Sequence, residues 1–252
     1  MPWLDGDADL QRPFELDEYR AATAGLPVQA IIYVQVDVAP AYSLLEAEWA
    51  VEQPVTGVVA FAPLEDGLVA GAYLERLVAL GPKLKGVRRL IQSEPDPDFP
   101  LRLVEGLRLL PRYGLSFDIC IKHHQLARTL DMVRACPEAS FVLDHLGKPD
   151  VKAGLLEPWR AQISALAELP NVACKLSGLV TEADHAGWRP DDLAPYVSHV
   201  LAAFGPERVL FGSDWPVLTH AATYVQWIDT LARLAPGQDD LWAANARRVY
   251  RL

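Results

Sequence analysis

Three short stretches gather side chains that could do chemistry together. In "RVLFGSDWPV", residues 208–217, a carboxylate, Asp214, directly follows an apolar run and precedes a turn at Pro216. In "FVLDHLGKP", residues 141–149, an imidazole, His145, stands where the apolar run stops, and Lys148 follows closely. In "KGVRRLIQ", residues 85–92, Arg88 and Arg89 interrupt an apolar segment that ends at Gln92. Charge inside so short a strand is costly unless it is paired, so one of the two arginines should meet a carboxylate or a ligand. Further cations, Lys122 beside His123 and His124, and Lys175 in "CKLSG", stand near the ends of other apolar runs. An acidic chain that collects Arg88, Arg89, Lys122, Lys148 and Lys175 at such places makes a local positive field at one mouth. That field suits a substrate with carboxylate or carbonyl oxygens.

The elements that position these groups can be read from rhythm. Apolar runs of strand length at 29–36, 57–64, 85–92, 115–122, 140–149, 171–178 and 208–217 alternate with segments of helical period. In the segment after Gln92, Leu101, Val104, Leu107 and Leu110 recur at intervals of three, one side of a helix. Gly81-Pro82, Gly114, Pro137, Pro170 and Gly205-Pro206 supply the stops. Alternation of this kind predicts a parallel sheet with helices outside it, and no linker or composition shift divides the chain, so residues 1–252 form one domain. No GxGxxG or P-loop pattern follows a strand, which favours a TIM-like barrel over a doubly wound sheet.

In such a fold the C-terminal edge of the sheet is the ligand edge. Strand parity puts Leu210, Gly212 and Asp214 on one face, and Phe141, Leu143 and His145 on one face of another strand. Taken alone, Asp214 is equally well explained as the cap of a turn, and His145 is better explained as a hydrogen-bonded core histidine. Their matching positions on two strands shift both toward a site. Trp215 is open to two readings, a pocket wall or packing beneath the last helix. His185, His199 and His220 fall in loop or helix segments and read as surface residues.

A net charge of -10, with no Lys/Arg-rich run, argues against a nucleic-acid partner or an anionic membrane surface. Hydrophobic residues make up 51% and charged residues 22% of the chain, the balance of a globular enzyme. The three cysteines, Cys120, Cys136 and Cys174, are widely spaced, which speaks against a disulfide framework and for reduced core residues. No apolar run reaches the roughly 18 residues that span a bilayer. The opening residues lack the basic and apolar regions of a leader, so the expected location is the cytoplasm. A homo-oligomer is compatible with the sequence.

"GVRRLIQSEPD", "LSFDICIK" followed by "QL", "FVLDHLGKP", "CKLSGL" and "VLFGSDWPV" together resemble the amidohydrolase-2 branch of the amidohydrolase superfamily. Within it they are similar to the sugar-lactonase group, the L-fuconolactone and L-rhamnonolactone hydrolases, with the 2-pyrone-4,6-dicarboxylate lactonases as relatives. The resemblance implies a (β/α)8 barrel that hydrolyses a lactone. It implies Asp214 as the general base toward water, and His145 and Arg88 as the groups that hold the lactone carbonyl or its oxyanion. Gln92, His123, Lys148, Lys175 and Trp215 are then candidate substrate contacts. Family members also carry a His-x-His pair at the end of their first strand, whereas "MPWLDGDADLQRPF" resembles the loop after that strand. The expectation is therefore a barrel lacking its first strand, which accounts for seven visible units where eight are the rule.

An ester has a better leaving group than an amide, so no metal is required. His145, Asp214 and His123 could hold zinc or another divalent ion only weakly. Two rivals stand beside this reading. One is a metal-dependent amidohydrolase or decarboxylase of the same superfamily; the other is a non-catalytic protein that keeps the pocket and binds a small molecule without turnover.

Overall fold

The computed structural model describes Met1–Leu252, the side chain of Pro2 excepted. The alternation becomes seven strands: β1 (Ile32–Val34), β2 (Gly57–Phe61), β3 (Leu84–Leu90), β4 (Ser116–Cys120), β5 (Ser140–Leu143), β6 (Val172–Leu176) and β7 (Val209–Phe211). They pair in chain order, and every pair is parallel. Helix α1 (Leu16–Ala22) precedes the sheet, and α2 (Ser43–Glu52) and α3 (Ala70–Val78) follow β1 and β2. After β3 come three short helices, α4 (Phe99–Arg102), α5 (Val104–Leu107) and α6 (Leu110–Tyr113). Helices α7 (Leu126–Arg134), α8 (Trp159–Ala167) and α9 (Pro190–Phe204) follow β4, β5 and β6, and α10 (Tyr224–Leu234) and α11 (Ala244–Tyr250) follow β7.

This connectivity, each strand crossing through a helix to its next neighbour, is that of a (β/α) barrel. Among the described residues β7 and β1 do not pair with each other, so the curled sheet is open on that side. The single helix expected after β3 is divided for local reasons. Pro111 has no N–H to give to the carbonyl four residues back. Gly106 lies so close to Leu64 that a β-carbon would meet the Leu64 carbonyl oxygen at 2.3 Å.

Two apolar layers follow from strand parity. Outward residues such as Val58, Val87, Phe117, Ile119, Phe141 and Leu143 pack with the helices. Inward residues Val59, Val142, Ala173 and Leu210 pack with Tyr250 of α11 inside the barrel. Burial of each large apolar side chain supplies on the order of 1.5–3 kcal/mol. Paired residues of parallel strands face the same way, so the register Arg88 to Asp118 to Val142 places Arg88 and Asp118 in the interior. Cys120, Cys136 and Cys174 are buried free thiols, as read from the sequence. No helix among the described residues is long and apolar enough to cross a membrane.

Candidate active site

The interior holds a balanced set of charges. Lys175 Nζ donates to Asp118 Oδ2 at 2.6 Å and to Asp144 Oδ1 at 2.7 Å. Arg88 Nη1 donates to Asp144 Oδ2 at 3.0 Å, and its Nη2 donates to the carbonyl of Gln35. Burial penalises the Asp144 carboxylate, but Lys175, His145 and Arg88 more than reverse this and hold it below its usual range. Burial likewise opposes the Arg88 charge, and Asp144 outweighs it, so the guanidinium is held firmly protonated. Asp118 is different: burial wins there, and its proton affinity is raised. Arg88 Nε is buried and has no partner.

This pairing changes the picture of a positive mouth. Of the five cations expected there, Arg88 and Lys175 are neutralised by Asp144 and Asp118. Arg89 points outward, bound to Glu65 at 2.7 Å and Glu94 at 2.5 Å and stacked on Phe99. Lys122 is exposed to solvent. Lys148 Nζ is at the rim, donating to Gln92 Oε1 at 2.7 Å with Glu182 at 3.9 Å. Both arginines therefore meet carboxylates, as the cost of buried charge demanded.

The strand parity assigned to His145 from sequence needs correction. Phe141 and Leu143 belong to the outer layer, and the inward residues of that strand are Val142 and, just past its end, Asp144. His145 reaches the site because the chain leaves the extended state: His145 and Leu146 both have φ of +54° and Lys148 has +49°. Asp214 is also left-handed, with φ of +58°. Such values are rare outside glycine and cost on the order of 1–3 kcal/mol each, and their gathering at this place marks it as a built site.

His145 Nδ1 lies 2.8 Å from Ser177 Oγ, and its Nε2 faces Asp214 Oδ1 at 3.7 Å. Burial lowers the pKa of His145 and so favours the neutral ring, although Asp214 and Asp144 pull the other way. Gly178, with φ of +59°, closes the space behind the pair: a β-carbon there would lie 2.6 Å from His145 Nδ1 and 2.9 Å from Asp214 Oδ2. Gly212 gives room in the same way, since its β-carbon would meet Ser177 Cβ at 2.8 Å.

These groups open onto a cavity of about 1450 Å³ whose walls include Arg88, Gln92, His145, Lys148, Asp214 and Trp215. Trp215 lines the cavity, as the first of its readings had it, with its ring edge-on to Phe14 and Tyr19 of the N-terminal segment. His123 is not part of this wall among the described residues; its Nδ1 lies 3.1 Å from the Lys148 carbonyl. Lys175 lines the cavity but spends its charge on two aspartates. His199 and His220 are half-buried rather than surface residues, and His220 Nε2 lies 2.9 Å from Asp7. Asp118, Asp144, Ser177 and Glu182 were not singled out in the sequence. A signal for the first two was present: each is a carboxylate set in or directly after an apolar run, the same anomaly that drew attention to Arg88.

For a metal, His145 and Asp214 would supply one nitrogen and one oxygen. A catalytic zinc takes three protein ligands. Cys120, Asp144 and His145 have ligand atoms within 4.8 Å of one another. Yet both Asp144 oxygens are held by cations, and burial pushes the Cys120 thiol up to about 11. This donor set is compatible with weak metal binding.

Comparison with known proteins shows the family. The Amidohydro_2 family model, described as amidohydrolase, matches residues 2–252. The L-fucono-1,5-lactonase of Burkholderia multivorans is 36% identical over 197 residues, 68% of this chain and 64% of that protein. The L-fucono-1,5-lactonase of Burkholderia ambifaria is 38% identical over 159 residues, 60% of this chain and 53% of that protein. The matches thus span less than two thirds of either curated relative. A crystal structure of a Burkholderia multivorans amidohydrolase with bound zinc superposes with a TM-score of 0.89 at 32% identity, covering 100% of this chain and 93% of that one.

Proposed function

This chain belongs to the amidohydrolase family, and from that premise we propose that it hydrolyses the ring ester of a lactone, with Asp214 as general base. The observation that supports this best is the grouping of Asp214, His145 and the Arg88 guanidinium around one cavity. Asp214 takes a proton from water as the water oxygen attacks the carbonyl carbon. The carbonyl π electrons move onto oxygen, and the Arg88 guanidinium, with His145 and Lys148, stabilises that oxyanion. As the carbonyl re-forms, the ring C–O bond breaks, and the proton held by Asp214 passes to the departing oxygen. The product is an open-chain hydroxy acid.

The charge balance narrows the substrate. Arg88 and Lys175 are answered by Asp144 and Asp118, and Lys148 by Glu182, while Asp214 adds a negative charge. An uncharged polyhydroxylated lactone, such as a sugar aldonolactone, suits this site better than a lactone that carries carboxylates. Gln92, Lys148 and Trp215 are the wall groups that would read its hydroxyls and face. Proton release from a panel of aldonolactones and anionic lactones tests the reading. Turnover of neutral lactones that is lost in Asp214→Asn is the expected result, and turnover unchanged in that variant overturns it.

A further inference from the structure

One connected chain of contacts runs from the floor of the barrel to Arg88. Helix α11 covers the end where the strands begin. Asn245 Nδ2 donates to the carbonyls of Pro206 and Val209 at 2.6 and 2.8 Å, and Lys85 Nζ donates to the carbonyl of Arg251 at 3.0 Å. From this helix the Tyr250 ring enters the interior among Val59, Val142, Ala173 and Leu210, and is 1% exposed. Its hydroxyl donates to Asp118 Oδ2 at 2.7 Å, the oxygen that also accepts from Lys175. Lys175 then holds Asp144, and Asp144 holds Arg88.

We propose that Tyr250 is a positioning residue, whose hydroxyl acts through Asp118, Lys175 and Asp144 to hold Arg88 where its guanidinium meets the lactone carbonyl. The role assigned to Arg88 rests on the lactone reading above. Phenylalanine would fill the same apolar floor, so packing does not explain the phenol; a buried hydroxyl is costly unless its bond has a use. The bond has one here. Asp118 Oδ1 is buried without a partner, so the whole orientation of this carboxylate depends on what grips Oδ2. Tyr250 and Lys175 grip it from two sides, and Asp144 and Arg88 are the other charged groups of the network. The Tyr250 and Lys175 bonds also restrain the rise in Asp118 proton affinity that burial causes. A protonated Asp118 would release Lys175 to swing toward Asp144 and loosen the seat of Arg88.

Tyr250→Phe keeps the packing and removes the grip. Its kcat on a neutral lactone should fall about tenfold, the weight of a hydrogen bond to a charged group, with KM within about twofold. The acid limb of its kcat profile should move to higher pH, because Asp118 protonates earlier. Parent-like kcat and acid limb would refute the proposal. A readout independent of turnover is the ¹⁵N signal of Arg88 Nε–H, assigned by its loss in Arg88→Lys, which should shift in Tyr250→Phe. If the parent hydrolyses no lactone, the functional reading fails, while this signal still decides the positioning claim: unmoved, it sinks it. Should Tyr250→Phe not fold, Asp118→Asn, which removes the charge that holds Lys175, must displace the same signal; a parent-like position is again fatal.

Discussion

His145 Nε2 and Asp214 Oδ1 face each other at 3.7 Å, beyond the reach of a direct hydrogen bond. Neither group is consumed by the other, so the Asp214 carboxylate stays available to a water on its way to a carbonyl. Asp214→Asn keeps the shape and removes the base. Its kcat on a neutral lactone should fall by about 10²–10⁴, the usual weight of a positioned general base, with little change in KM. Steady-state kinetics on folded variant, checked by circular dichroism, measures this.

Gly178 is the spacer that sets this distance. Alanine there would place a β-carbon 2.6 Å from His145 Nδ1 and would also carry an unfavourable φ of +59°. Gly178→Ala should cost about 1–3 kcal/mol of stability from the backbone alone. It should cost activity beyond that by pushing His145 and Asp214 apart. Urea unfolding beside kinetics separates the two, and a stable, fully active variant would show that the space is not needed.

The fold was legible because apolar runs alternate with helical segments, and parallel strands linked by helices have few other arrangements. Asp214 was legible for the same reason, since the parity of β7 continues through Gly212 to it. His145 was assigned to the right place by an incorrect route: parity would have sent it outward, and only the left-handed turn after Leu143 brings it in. Nothing in one sequence announces such a turn at a non-glycine residue. The charge of the mouth is not legible from cations at strand ends alone, because their pairing with Asp118 and Asp144 depends on register between strands distant in the chain. Tyr250 lay beyond reach for a similar reason: 132 residues separate it from Asp118.

Asp144 carries the heaviest electrostatic burden. Asp144→Asn leaves Lys175 and Arg88 short of an anion in a buried setting, which should cost about 3–5 kcal/mol at neutral pH. The pH dependence follows from linkage. The folded state holds this carboxyl below its ordinary value of 3.8, so the contribution is complete above that value and is lost as the pH falls below it. Urea unfolding of parent and variant should therefore show a gap that is constant near neutrality and closes in acid. A gap that widened in acid would mean that the carboxyl is protonated in the folded protein.

His145 gives the opposite kind of group a similar sign. Burial lowers its pKa, so the folded protein resists the imidazolium that the unfolded chain forms freely below the ordinary value of 6.5. As the pH falls through 6.5 the unfolded state takes up protons that the folded state refuses, and stability declines until the lowered folded value is passed. Titration of the His145 ring protons by NMR should accordingly give a midpoint below 6.5. Asp214 is one of the charges that pull this midpoint upward, so Asp214→Asn should move it further down. A midpoint above 6.5 in the parent would make His145 an imidazolium donor over much of the working range, and the neutral hydrogen-bonding role assigned to it would have to be abandoned.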